Sequence, residues 1–269
     1  MTPGNVGDLG DPPPGQAAPS VTARRTRGPA GPAPSMTTRR GRGAEGPAPG
    51  LALSQALEGP VVAAARALLG AHLTVGAVTV RLTEVEAYSG TGEDPASHAH
   101  RGRTPRNTVM FGPAGYAYVY FTYGMYYCVN VVTGTEGTAS AVLLRAGEVV
   151  DGLAVARARR PAARKDAELA RGPARLCAAL AIDRDFYGTY LLDGHLTSAP
   201  EPVPAAAVSA GPRVGVTGAH DVPWRFWLTG DPTVSDYRRH VPKAQVPAHG
   251  SKARGPKTPP PGPPPAPTA

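Results

Sequence analysis

Between Leu51 and His240 the chain alternates segments of helical and strand-like apolar spacing, whereas the ends carry no periodic pattern. The run from Gly59 to Leu69, apolar but for Arg66, predicts an opening helix. Pro60 falls in its first turn and Gly70 follows its last apolar residue, the usual start and stop pair. Val, Thr and Leu dominate His72–Val80 and Arg81–Tyr88, which read as two strands. Ser89–Arg106 is polar and reads as a loop. Tyr116–Val132 predicts two strands folded about Tyr123-Gly124, and Ala139–Ala146 a further strand. Pro173–Leu180 repeats the proline-led helical pattern, and Val214–Val216 and Trp224–Leu228 read as final strands. Strands and helices that do not alternate regularly argue for an α+β domain over a doubly wound sheet.

Composition sharpens the boundaries. The chain of 269 residues holds 33 Gly and 32 Pro, concentrated in residues 1–50 and 241–269. These ends lack aromatic residues, so they cannot bury enough apolar surface to offset the entropy of ordering, and both are expected to be disordered. Residues 51–240 suffice for one well-buried domain. The net charge of +8 also belongs mostly to the ends, so it supports loose, salt-sensitive tethering to a polyanion more than it describes the domain. No apolar run approaches a membrane span or a signal peptide. Cys128 and Cys177 show neither metal-ligand nor C-x-x-C spacing. An intracellular protein is expected.

Candidate chemistry gathers in the first half of the domain. Seven of the ten tyrosines lie between Tyr88 and Tyr127. Strand alternation puts Tyr116, Tyr118 and Tyr120 on one face, with Ala117, Val119 and Phe121 on the other. Such a stripe serves either cross-strand packing or the stacking of bases. Tyr123, at the hairpin tip, has nothing to pack on and suits a wedge into stacked bases. Glu84 and Glu86 share one face at a strand end, where they are either a solvated edge or half-buried acids fit for proton transfer. Glu93, Asp94, His98 and His100 follow in the loop without a recognisable ligand spacing, so no metal is expected. Arg101, Arg103 and Arg106 with Asn107 form a cluster suited to phosphate contacts or simply to solvent.

Taken in order, Glu86-Ala87-Tyr88, His98, Arg103-Thr104-Pro105-Arg106-Asn107 through Met110-Phe111, Tyr118-Val119-Tyr120 and Tyr123 through Asn130 resemble the alkyladenine (3-methyladenine) DNA glycosylase family. Val142 to Ala146, Gly172 to Cys177 and Arg213 to Val216 extend the resemblance, which covers about Leu51 to Tyr237. It implies a single domain around a curved, mainly antiparallel sheet with a protruding hairpin, without metal or organic cofactor. It also implies an enzyme that flips a damaged purine from double-stranded DNA and hydrolyses its N-glycosidic bond. Glu86 would be the general base for water. Arg145 and a backbone carbonyl in Arg213–Val216 would help hold that water. Tyr88, His98 and Tyr120 would sandwich the base, Tyr123 would fill the gap it leaves, and Asn130 would disfavour normal guanine. Tyr88 and His98 stand one residue further apart than is usual in the family, which leaves His100 as the alternative histidine. Arg103 and Arg106 would contact phosphates.

The chemistry of these residue types is consistent with that implication. Loss of a purine from deoxyribose passes through an oxocarbenium-like state, which a carboxylate can stabilise while it deprotonates water. Strand cleavage would need an amine nucleophile, and the domain has one lysine, Lys165, outside every matched segment, so a monofunctional enzyme is expected. A monomer acting on damaged purines in duplex DNA follows, cytoplasmic in a bacterium or nuclear in a eukaryote. Two rivals remain at this level. One is a noncatalytic binder of distorted duplex or RNA, which leaves Glu86 and Arg145 without a task. The other is a nucleoside hydrolase using Glu84 and Glu86, for which Tyr123 would be dispensable.

Overall fold

A computed structural model describes residues 49–237. Apart from Pro49 and Gly50, the expected disordered ends lie outside the described residues. Within them an α+β domain is built on a sheet of nine strands, every pair of which is antiparallel. Helix α1 (Pro49–Glu58), which the pattern did not announce, precedes the expected α2 (Val61–Ala67). Leu53 and Leu57 of α1 join Ala64, Ala65, Leu68 and Leu69 in the main core.

The two strands expected over 72–88 are divided differently. β1 is His72–Val75 and β2 is Val78–Tyr88, because the chain reverses at Gly76, whose φ of 59° suits glycine. β3 (Ala117–Thr122) and β4 (Tyr126–Val132) form the expected hairpin. β5 runs from Ala141 to Asp151, past the expected end at Ala146. α3 (Leu153–Arg159), which was not expected, precedes the short β6 (Ala170–Arg171) and α4 (Pro173–Leu180). β7 (Leu196–Thr197), β8 (Val208–Gly211) and β9 (Arg225–Leu228) complete the order. Val214–Val216, expected as a strand, is a bend. The missing pairing has a physical cause, since the Val214 N–H is donated to the Glu86 carboxylate and Gly215 has a φ of 71°.

β2 organises the molecule. One edge pairs along its length with β5, and the other pairs first with β1 and then, at Glu84–Glu86, with β9. Its pairing with β5 is irregular near the centre. Glu84 faces Ala146 and Val85 faces Leu144, so Thr83 and Arg145 are left without facing partners. Bulges of this kind bend strands and re-aim side chains. Here the bulge turns Arg145 towards Glu84 and Glu86. Close by, a Cβ on Gly147 would lie 2.4 Å from the Arg81 carbonyl oxygen, so the two strands meet this tightly only with glycine.

Candidate active site

The Ser89–Arg106 loop is folded against the sheet by a second small core. Ala99, Met110 and Phe111 pack there with Tyr118, Val132, Ala139 and Ala141. Asn107 staples this loop, its Nδ2 donating to the carbonyls of His98 (3.0 Å) and Gly102 (3.1 Å). Because Asn107 is buried, it is not available for the phosphate contact that its basic neighbours suggested. His98 is carried to the wall of a cavity of about 520 Å³, whereas His100 does not line it. Glu86, Tyr88, Tyr118, Tyr120, Tyr123, Asn130 and Arg145 line the same cavity, as do Val214–Thr217.

Glu86 is fully buried, as is Glu84, where the sequence left open a solvated edge or half-buried acids. The Val214 N–H donates to Glu86 Oε1 at 2.7 Å and the Tyr88 hydroxyl donates to Oε2 at 2.8 Å. Arg145 Nη1 approaches Oε2 at 3.4 Å. Burial, and then the charge of Glu86, raise the Tyr88 pKa far above the ordinary phenol value, so Tyr88 is a neutral donor. Arg145 stays charged: burial works against it, but the two carboxylates outweigh that cost.

Behind this lies a buried ionic network. Glu84 Oε1 accepts from Arg145 Nε at 2.8 Å and from Arg225 Nε at 2.6 Å. A second pair, Asp94 with Arg213, is bidentate at 2.6 and 2.8 Å and almost wholly buried. Arg213 Nη1 also donates to the Ala87 carbonyl, and its guanidinium lies 4.6 Å from the Tyr88 ring centroid. It thereby ties the His98 loop, the end of β2 and the Val214 bend together. Sequence reasoning missed Arg213 as a side chain, and missed Arg225 altogether. Their only signal was an arginine within or beside an apolar segment.

The aromatic wall is compact. His98 Nδ1 is 2.9 Å from the Tyr118 hydroxyl, and its ring meets Tyr120 edge-on, with centroids 4.6 Å apart at 79°. A flat base between two rings needs about 7 Å, twice an ordinary carbon contact, so admitting one there requires the His98 ring to move. Asn130 Nδ2 donates to the Tyr118 carbonyl at 2.9 Å, which fixes its amide across the strand pair. Tyr123 is 84% exposed at the hairpin tip, and both it and Gly124 have positive φ. That conformation costs a tyrosine about 1–2 kcal/mol, as strained residues at functional positions often do. Arg106 is exposed and lies over Tyr120 at 5.4 Å, and exposed Arg103 lies over Phe111 at 4.7 Å.

Among the described residues no three His, Cys, Asp or Glu converge as a metal site, and no helix is long and apolar enough to cross a membrane. Lys165 is exposed and does not line the cavity.

The protonation equilibria predict an acid-sensitive fold. The Glu84 and Asp94 carboxyls sit below their ordinary pKa values: burial opposes this, but Arg145 and Arg225 at the first and Arg213 at the second prevail. Burial, helped by the charge of Arg106, also lowers the His98 pKa. All three groups bind protons more readily when unfolded, so stability falls as pH falls. Thermal unfolding should show a modest loss below about pH 6.5 from His98 and a steeper one below about pH 4 from the carboxylates. A melting temperature constant from neutrality to pH 3.5 would contradict these assignments.

One cavity is thus lined by a buried carboxylate, several aromatic rings and the exposed tyrosine of the hairpin tip. The methylpurine-DNA glycosylase (MPG) family description matches residues 55–232, and the chain belongs to that family. It is a monofunctional DNA glycosylase of base-excision repair. It is 62% identical over 186 residues to a Nocardia farcinica protein provisionally named a 3-methyladenine DNA glycosylase, covering 65% of this chain and 86% of that one. A Streptomyces avermitilis protein of the same name is 54% identical over 199 residues, covering 68% and 90%. A Mycobacterium leprae relative, named likewise, is 45% identical over 203 residues, covering 73% and 93%.

Proposed function

We propose that the domain flips alkylated or otherwise damaged purines from duplex DNA and releases them by water that Glu86 activates. The observation that carries this is the position of Glu86, buried in the cavity wall with its carboxylate oxygens held at 2.7 and 2.8 Å by the neutral Val214 N–H and Tyr88 hydroxyl and approached by Arg145 at 3.4 Å. Water attacks C1′ of the damaged nucleotide, its proton passes to Glu86, and the bond from C1′ to the base nitrogen breaks with its electron pair going to the base. An abasic site and a free base result. A cationic 3-methylpurine departs neutral and needs no further proton, whereas hypoxanthine or ethenoadenine must receive one. Arg145 orients Glu86 and the water, and a carbonyl of the Val214 bend completes the water's position. Tyr88, Tyr120 and His98 receive the flipped base, cationic bases being favoured by the phenol faces. Asn130 lies in the same wall, where its fixed amide disfavours the exocyclic amino group of guanine.

Release from a labelled duplex carrying a single 3-methyladenine, hypoxanthine or ethenoadenine tests the proposal. Free base and an intact strand holding an abasic site are expected for at least the first. Tight lesion binding without release of any base would overturn it in favour of a noncatalytic binder.

Tyr123 supplies a separate test. Stacking of an aromatic side chain on bases contributes about 1–3 kcal/mol, so Tyr123→Ala should reduce excision from duplex at limiting enzyme by roughly tenfold or more. Its melting temperature should not fall, because this side chain is 84% exposed. Undiminished activity on duplex would remove the wedge role. Arg103 and Arg106 are assigned to the phosphates that flank the flipped nucleotide.

A further inference from the structure

We propose that Ser235, on the segment after β9, is a positioning residue that holds the Arg145 guanidinium in place. Each of the three nitrogens of Arg145 has a different partner: Nε donates to Glu84 Oε1 at 2.8 Å, Nη1 to Glu86 Oε2 at 3.4 Å and Nη2 to Ser235 Oγ at 3.2 Å. A planar guanidinium held at three divergent points cannot turn within its plane. The Glu86 contact is the longest of the three, so the other two decide where Nη1 lies.

Ser235 governs both of those. Its hydroxyl accepts from Arg145 and donates to Glu84 Oε1 at 3.0 Å, which uses its donor and one acceptor position. Its backbone N–H donates to Glu84 Oε2 at 2.7 Å. The segment is itself fastened, with Arg225 Nη2 donating to the Ser235 carbonyl at 2.8 Å. Arg171 donates to the Val234 carbonyl at 2.8 Å and to Asp236 at 2.9 Å. Ser235 stands beyond the 55–232 stretch that matches the family description, on backbone outside the sheet, yet it bonds directly to the buried network. The consequence for catalysis rests on Glu86 being the base, whereas the positioning does not.

Ser235→Ala removes the hydroxyl and leaves the backbone bonds, and Ser235→Thr keeps a hydroxyl. Nitrogen-15 NMR of the free protein reads the guanidinium directly. Separate, slowly exchanging Arg145 signals are expected in the wild type and in Ser235→Thr, and averaged signals in Ser235→Ala. Unchanged Arg145 signals in Ser235→Ala would overturn the proposal. In single-turnover excision at saturating enzyme, Ser235→Ala should slow release about tenfold, in line with a lost hydrogen bond to a charged group. Duplex affinity should hold and Ser235→Thr should restore the rate. In an Arg145→Lys background the alanine substitution should cost no further rate, because its effect passes through Arg145. An equal loss in that background would overturn the proposal as well. A wild type that releases no lesion would sink the catalytic role of Glu86, and the NMR comparison would still decide the role of Ser235.

Discussion

Glu86→Gln should slow base release by about 10²–10⁴-fold, the usual contribution of a positioned general base. Glutamine keeps the size of the side chain and an oxygen for the Val214 N–H, which donates at 2.7 Å, so the bend it anchors should stay in place. What is lost is the capacity to take a proton from water and to oppose the positive charge that develops on the sugar. Lesion binding should persist within about threefold, since the aromatic wall, the hairpin tip and the flanking arginines are untouched. Single-turnover kinetics on the lesion released fastest by the wild type is the measurement. A rate within a factor of about five of wild type would show that Glu86 is not the base.

The largest effect on stability is expected one turn of the pleat away. Glu84→Ala removes the carboxylate that Arg145 and Arg225 share and leaves both guanidinium groups in a site where their side chains are 8% and 5% exposed. Removing one partner of a buried ion pair costs about 3–5 kcal/mol; here Arg225 loses its carboxylate and Arg145 keeps only the longer contact to Glu86 at 3.4 Å. For a domain of this size the melting temperature should fall by roughly 10 °C. Excision should fall too, since Arg145 loses its Nε partner. Denaturant or thermal unfolding at pH 7 checks the first effect. Arg157→Ala is the control, since its pair with Asp166 has side chains 57% and 51% exposed and its loss should leave the melting temperature unchanged. A Glu84→Ala protein as stable as wild type would mean that solvent reaches the network.

The hairpin was the most legible part of the fold. Alternation along Tyr116–Val132 and the Tyr123-Gly124 pair are local signals, and local backbone preferences were enough to place the turn. Of the Tyr stripe, Tyr118 packs in the second core, and Tyr118 and Tyr120 line the cavity. Elements whose existence depends on distant partners were harder to read. α1 is amphipathic only with respect to a core formed by strands far along the chain. β8 exists because it pairs with β9. Val214–Val216 has strand composition but bends, because its N–H is taken by a carboxylate 128 residues away.

The same division holds for the candidate site. Sequence alone determined the inventory and its order: the family, the α+β class, and the carboxylate, phenols, histidine and arginine proposed for the chemistry. The class follows from residue type and spacing, and the family and the proposed roles from a resemblance carried by short ordered segments of the chain. Tertiary structure alone decided that Glu84 and Glu86 are fully buried, that His98 and not His100 meets the cavity, and that Asn107 is a staple. It also brought in Arg213, Arg225 and Ser235, whose acidic partners Asp94 and Glu84 lie 119 to 151 residues away along the chain. Burial and ion pairing are properties of the packed molecule: a carboxylate in a strand-like segment is a solvated edge or a buried charge according to what the rest of the chain places upon it.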